Sequence, residues 1–204
     1  MATRKYEQQL RAENAEQTRR RILQAVGQRL RQAPTEQLSL DKVARMARVS
    51  RSTIYADFGS RAGLFDAFVV DLWERTGLSM LTEAVSTPDA RGHLRNGLAA
   101  ASRMKANDLD IYRVLNAMDR LDPASAGGAV QMMEEDRRGG MEHLARRLSE
   151  DGELRDDVTI EQAVDVLWMI TSFESLDLLM TGRGLSVDEA VAVLVTTAER
   201  TLCG

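Results

Sequence analysis

Residues 39–65 read SLDKVARMARVSRSTIYADFGSRAGLF, and the placing of three serines, a glycine and a few apolar side chains in this stretch decides the fold. Ser39 and Ser50 each precede a short helix-forming run, where a hydroxyl can accept hydrogen bonds from the free backbone N–H groups of a first turn. The spacing predicts a helix over 40–47 and another over 51–58, with a turn between them. Asp41 complements the dipole of the first of these helices, Gly59 suits the left-handed residue that ends the second, and Ser60 caps a further helix. Two short helices joined this way make a helix-turn-helix, whose second helix can enter a DNA major groove.

Upstream, Ile22, Leu23, Val26 and Leu30 recur at helical spacing, with Arg19, Arg20, Arg21, Gln24, Gln28 and Arg31 largely on the other side. That predicts an amphipathic helix over 17–31, ended by Pro34. Ile22, Val26 and Leu30 can share a small core with Val43, Ala44, Ala47, Val49, Ile54 and Phe58. Arg51, Ser52, Thr53 and Tyr55 are then left pointing outward. Arginine can pair bidentately with guanine, threonine offers a hydroxyl and a methyl, and tyrosine can reach phosphate. A three-helix bundle that reads no groove also fits the pattern of this segment alone.

Charge separates along the chain. Residues 1–65 carry 13 Lys+Arg and 6 Asp+Glu, a net of +7, while residues 66–204 carry −11, within a whole-chain charge of −4. Phosphate neutralisation depends on local positive potential, so a nucleic-acid partner belongs to the basic end. The acidic remainder slightly disfavours an anionic ligand there. No window approaches the roughly 18 apolar residues of a membrane span, and the first 15 residues have no apolar core of a secretory signal. The expectation is a cytoplasmic protein with no membrane partner. One cysteine, Cys203, excludes an internal disulfide framework, and His93 and His143 stand far apart with no cysteine beside either. No metal and no cofactor are expected.

The rest of the chain reads as helices over 61–77, 91–105, 108–121, 126–149, 159–180 and 187–202, about nine in all, with breaks near Pro88, Pro123, Gly152 and Gly182–Gly184. The class is all-α, with a helix-turn-helix domain over 1–65 and a second helical domain over 66–204. Gly139-Gly140 inside a long helix marks a candidate kink. The last two long helices carry wider apolar stripes than one core face needs. Leu167, Phe173, Val191, Leu194, Val195 and Ala198 are therefore candidate contacts of a homodimer, as against a helix pair buried within one chain. No Gly-rich phosphate loop, nucleophile elbow or H-E-x-x-H appears, so a helical enzyme is disfavoured.

The stretches TRRRILQAV and LSLDKVARMARVSRSTIYADFGSRAGLFDAFV resemble the DNA-binding domain of the TetR family of bacterial transcriptional regulators. The specific part runs from Val49 to Phe65, as V-S-x-x-T-[IL]-Y-x-x-F, a small residue, S-[KR] and L-F. More loosely, residues 151–195 resemble the last two helices of many members. The resemblance implies that Ser50, Arg51, Ser52 and Thr53 open the recognition helix, that Tyr55 and Arg61 meet phosphate, and that Thr18 and Arg19 approach the backbone. It departs from the family at Arg48, where glycine is usual, and at Asp57, where histidine is common. Arg48 either accepts an unusual backbone angle or alters the turn, while a carboxylate at Asp57 repels phosphate or pairs with Arg61 or Arg48. The resemblance further implies a homodimer on an imperfectly palindromic double-stranded DNA site, and a repressor released by a small-molecule effector. Candidate effector contacts are Trp73, Met80, Met104, Tyr112, Met118, Trp168, Met169 and Phe173, with Met132 beside them, a polarizable set suited to an apolar ligand. Control by a protein partner is the alternative.

Overall fold

The computed structural model describes residues 2–34, 36, 38–121 and 123–204. These form eleven α-helices: α1 (Ala2–Gln32), α2 (Leu40–Ala47), α3 (Arg51–Phe58), α4 (Arg61–Thr76), α5 (Leu78–Val85), α6 (Ala90–Ala106), α7 (Leu109–Leu121), α8 (Pro123–Glu150), α9 (Ile160–Ile170), α10 (Phe173–Asp177) and α11 (Val187–Leu202), with a π-helical turn at Leu178–Gly182. There is no β-strand among the described residues, only an isolated bridge between Leu154 and Cys203. Two helices are additional to the expected nine: α5, over 78–85 where none is expected, and α10, split from the expected 159–180 helix. Gly77, at φ 130°, separates α4 from α5 in a conformation that side-chain-bearing residues rarely adopt. Thr171 and Ser172 interrupt the expected 159–180 helix, because the Ser172 hydroxyl accepts from the Ser175 N–H and starts α10 afresh.

Packing divides the chain into two compact units, Met1–Asp71 with Ala117–Val130, and Leu72–Asn116 with Gln131–Gly204. In the first, Ile22, Val26, Val43, Ile54 and Leu64 are fully buried, with Phe65 and Phe68 against each other at 6.4 Å between ring centroids. Each such side chain contributes about 1.5–3 kcal/mol by leaving water. An ionic clasp adds direction. Glu36 bonds the Arg29 guanidinium and the Lys42 ammonium, the latter at 2.9 Å, tying α1 to the start of α2. The lysine and then the arginine hold the Glu36 carboxyl below its usual range. The α1 helix begins far earlier than 17, and its side chains 8–17 are all exposed.

In the second unit, Leu94 and Leu98 of α6, Leu144 and Leu148 of α8, Leu167 of α9, and Ala190, Leu194 and Ala198 of α11 share one core. Capping boxes at Thr159 with Gln162 and Ser186 with Glu189 fix the starts of α9 and α11. A buried polar cluster sits at the C-terminal end of α9. The Lys105 ammonium donates to the Thr171 carbonyl at 2.7 Å, and Arg137 donates to the Trp168 carbonyl and the Thr171 hydroxyl, both at 3.0 Å. Two cations thus meet carbonyls left unpaired by a helix terminus.

Candidate functional site

Local chemistry positions the recognition surface. The Ser39 hydroxyl accepts from the Lys42 N–H at 3.4 Å and the Ser50 hydroxyl from the Thr53 N–H at 3.1 Å, so both caps stand where the sequence puts them. Between the helices, Arg48 adopts φ 54° and ψ 47°; among the described residues it is the one non-glycine with positive φ. The Val49 N–H reaches back to the Ala44 carbonyl at 3.0 Å and the Arg48 N–H to that of Arg45 at 3.2 Å, the two bonds of a Schellman termination. The turn keeps its geometry, and the arginine accepts the angle that glycine would take without strain. Gly59, at φ 73°, ends α3, and the Ser60 hydroxyl accepts from the Gly63 N–H at 2.9 Å to begin α4.

On α3, Ile54 is buried, while Arg51, Ser52 and Tyr55 are exposed and Thr53 is half-buried. The Ser50 hydroxyl also lies 2.7 Å from that of Ser52 and 2.8 Å from that of Thr53, so one cap orients three hydroxyls at the exposed helix start. Arg51 leans along α3 with its guanidinium 5.9 Å from the Tyr55 ring and 3.5 Å from its hydroxyl, and 3.4 Å from the Asp41 carboxylate. Arg19, expected near phosphate, lies over the Phe58 ring at 4.5 Å and so fastens the end of α3 to α1. Thr18 accepts from Arg21. Asp57 is exposed, Arg61 half-buried, and Arg48 exposed beside a cleft shared with Arg21, Gln24 and Gln28.

A cavity of about 660 Å³ opens in the second unit. Its apolar lining comes from Met80, Met104 and Met180, from Ala84, Ala99, Ala100 and Ala106, and from Val187. Thr76, Asn96, Arg103 and Asn107 supply the polar groups. The cause is legible along α6. Asn96, Ala99, Ala100, Arg103 and Asn107 fall at i, i+3, i+4, i+7 and i+11, one helical stripe, and its middle is too small to fill the space beneath α5. Asn107 donates its amide to the Thr76 carbonyl at 2.8 Å. The Thr76 hydroxyl lies 3.2 Å from that of Tyr112, whose phenol burial pushes up to about 12.

Of the expected effector contacts, Met80 and Met104 line this cavity, and Tyr112 adjoins it through Thr76. Trp73 is half-buried, and its indole N–H finds no acceptor among the described residues. Met118 falls in the first unit. Trp168 lies instead beneath Arg137 and Arg138, at 3.5 and 5.4 Å from its ring centroid, with Met169 and Met132 exposed and Phe173 buried. The expectation omitted Arg103 and the two asparagines, although their spacing along α6 signals a shared face.

The candidate dimer contacts are also placed differently from a surface. Leu167 and Ala198 are fully buried, and Phe173, Val191 and Leu194 nearly so, within one protomer. The wide stripes are used because α9 and α11 each meet neighbours of their own chain on more than one side. Val195 is half-buried, and the large apolar side chains left outward on these helices are Ile160, Met169 and Val193, 41%, 60% and 42% exposed.

An all-helical chain whose capped second helix presents arginine, serine, threonine and tyrosine beyond a left-handed turn has the form of a helix-turn-helix DNA-binding transcription regulator. Residues 22–68 match the family described as "Bacterial regulatory proteins, tetR family", and this DNA-binding domain is of the TetR type. No curated protein matches the chain. Among solved structures, it is similar to NalD, the secondary repressor of the MexAB-OprM multidrug efflux pump in Pseudomonas aeruginosa. That match has 22% identity over 94% of this chain and 98% of that one, at TM-score 0.71. It is also similar to the transcriptional regulator FadR from Bacillus subtilis in complex with stearoyl-CoA, at 13% identity, 89% and 97% coverage and TM-score 0.72. A TetR family transcription regulator from Marinobacter aquaeolei VT8 gives 15%, 94% and 98%, and 0.69. At these identities the likeness establishes the fold of the TetR-type regulators over nearly the whole chain. Among the described residues, no helix is long and apolar enough to cross a membrane.

Proposed function

We propose that the protein is a homodimeric repressor whose hold on an imperfectly palindromic operator is released by a small molecule bound in the second unit. The observation that carries this reading is the presence, in one chain, of a pre-oriented recognition-helix start and a cavity of about 660 Å³, within the size range of ligand sites. Arg51, Ser52 and Thr53 read base edges. Tyr55, Arg61 and Arg48 hold phosphate, with Thr18 nearby. The repressor named NalD and the acyl-CoA-bound FadR, which share the fold, support both halves of the proposal.

The dimer forms through the outward faces of α9 and α11, around Met169, Val193 and Val195, on top of the core that Leu167, Leu194 and Ala198 make inside each protomer. A charge at Val193 tests this without emptying that core, because the side chain is already 42% exposed. Val193→Arg is expected to sediment as a folded monomer at micromolar concentration and to lose most operator affinity, since two half-sites about 34–36 Å apart require two heads. A Val193→Arg dimer with full affinity would refute the assigned face.

A further inference from the structure

Among the described residues, the cavity lining contains one cation, Arg103, and no carboxylate, within residues 66–204 that carry a net −11. Arg103 is bonded at 3.0 Å to Asp188, which lies outside the lining, and both side chains are solvent-accessible, at 48% and 78%. An exposed pair of this kind contributes little and exchanges readily. Asp188 also stands in the first turn of α11, where the helix N-terminus stabilises a carboxylate without a partner. The guanidinium can therefore change partners at small cost. Of the lining methionines, Met104 is buried, at 7% exposure, and Met80 is 65% exposed. These thioethers adapt to a flexible chain.

Resting on the reading of this cavity as the effector site, we propose that its ligand is a carboxylate-bearing amphiphile, with its apolar body on Met80, Met104 and Met180 and its carboxylate on Arg103 in place of Asp188. The charge of the surrounding half argues against an anion at long range, but exposed charges beyond about 8 Å are screened at physiological salt, so the contact guanidinium decides. A fork of parallel N–H donors matches a carboxylate bidentately. A cationic amphiphile would meet no acidic lining. Binding also unties α6 from the start of α11, because the Arg103–Asp188 bond is one that joins them.

Isothermal titration of the full-length protein with decanoate, 1-decanol and decyltrimethylammonium tests the proposal. Decanoate is expected to bind tighter than the alcohol by on the order of tenfold or more, as a charge-assisted hydrogen bond gives. Arg103→Gln should erase that advantage while leaving decanol binding unchanged, which also shows that the variant is folded. Asp188→Asn should tighten decanoate by removing its competitor. Equal binding of decanoate and decanol, undiminished decanoate binding by Arg103→Gln, or binding of none of the three would overturn the proposal. If decanoate binds through Arg103 but leaves operator affinity unchanged, the ligand assignment stands and ligand-controlled repression falls.

Discussion

The Arg51 guanidinium lies 3.4 Å from the Asp41 carboxylate, a link between the first turn of α2 and the first turn of α3. Arg51 must leave this partner to reach a base edge, and Asp41 then faces DNA as an unpaired negative charge. Asp41→Asn is therefore expected to strengthen binding to all duplexes at low salt, with the advantage shrinking as salt screens it. Fluorescence anisotropy across a salt series checks this. An unchanged affinity at low salt would mean that Asp41 stays clear of the DNA.

Arg48 combines a cost with a use. Its left-handed backbone is about 1–2 kcal/mol less favourable for a side-chain-bearing residue than for glycine. Arg48→Gly is expected to raise stability by about 0.5–1 kcal/mol, after the entropy of a freer unfolded chain is deducted, and to weaken all DNA sequences alike by removing a phosphate-facing cation. Urea unfolding and operator titration of the same variant separate the two effects. Lower stability with unchanged affinity would assign the arginine a purely structural part.

How far the sequence reached depended on how local each signal was. The bounds of α2, α3 and α11 follow from the Ser39, Ser50 and Ser186 caps and a helical period, all within a few residues. Side chains 8–17 of α1 are exposed and form no apolar stripe, so periodicity has nothing to register there. The Thr171-Ser172 break lies between two apolar groups at helical spacing, Val164–Ile170 and Phe173–Met180, and is set by the Ser172 cap, which a reading by periodicity passes over. On α9 and α11, five of the six expected dimer contacts are buried within the protomer, because the width of an apolar stripe does not tell which chain elements pack against it. Met80 and Met104, expected for their polarizable side chains, line the cavity, while Arg103 and the asparagines are signalled only by their spacing along α6.

Lys105 gives the fold a signature in pH. Burial, with Arg137 adding to it, pulls the ammonium down to about 8, although Glu134 and Glu174 oppose the shift. The unfolded chain keeps this proton to about 10.4, so between those values unfolding takes up a proton and stability rises with pH. The destabilising effect is full below about 8 and fades above it. Tyr112 acts in the opposite sense at higher pH, since its folded phenol stays protonated to about 12 while the unfolded one ionises near 10. Lys105→Met should remove the rise, making wild type gain on the variant between pH 8 and 10 in thermal unfolding. A difference independent of pH would contradict the assigned shift.

Sequence recognition by α3 is the claim on which the proposed function turns, and selection of bound duplexes from random DNA by the purified protein tests it most directly. The selected sequence is expected to be imperfectly palindromic, with half-sites about 10 base pairs apart, and to bind on the order of 10³-fold or more tighter than a scrambled duplex at the same salt. Arg51→Ala should relax the preference at one position of each half-site, at about 1–3 kcal/mol. Enrichment of no sequence, or equal affinity for selected and scrambled duplexes, would contradict the account.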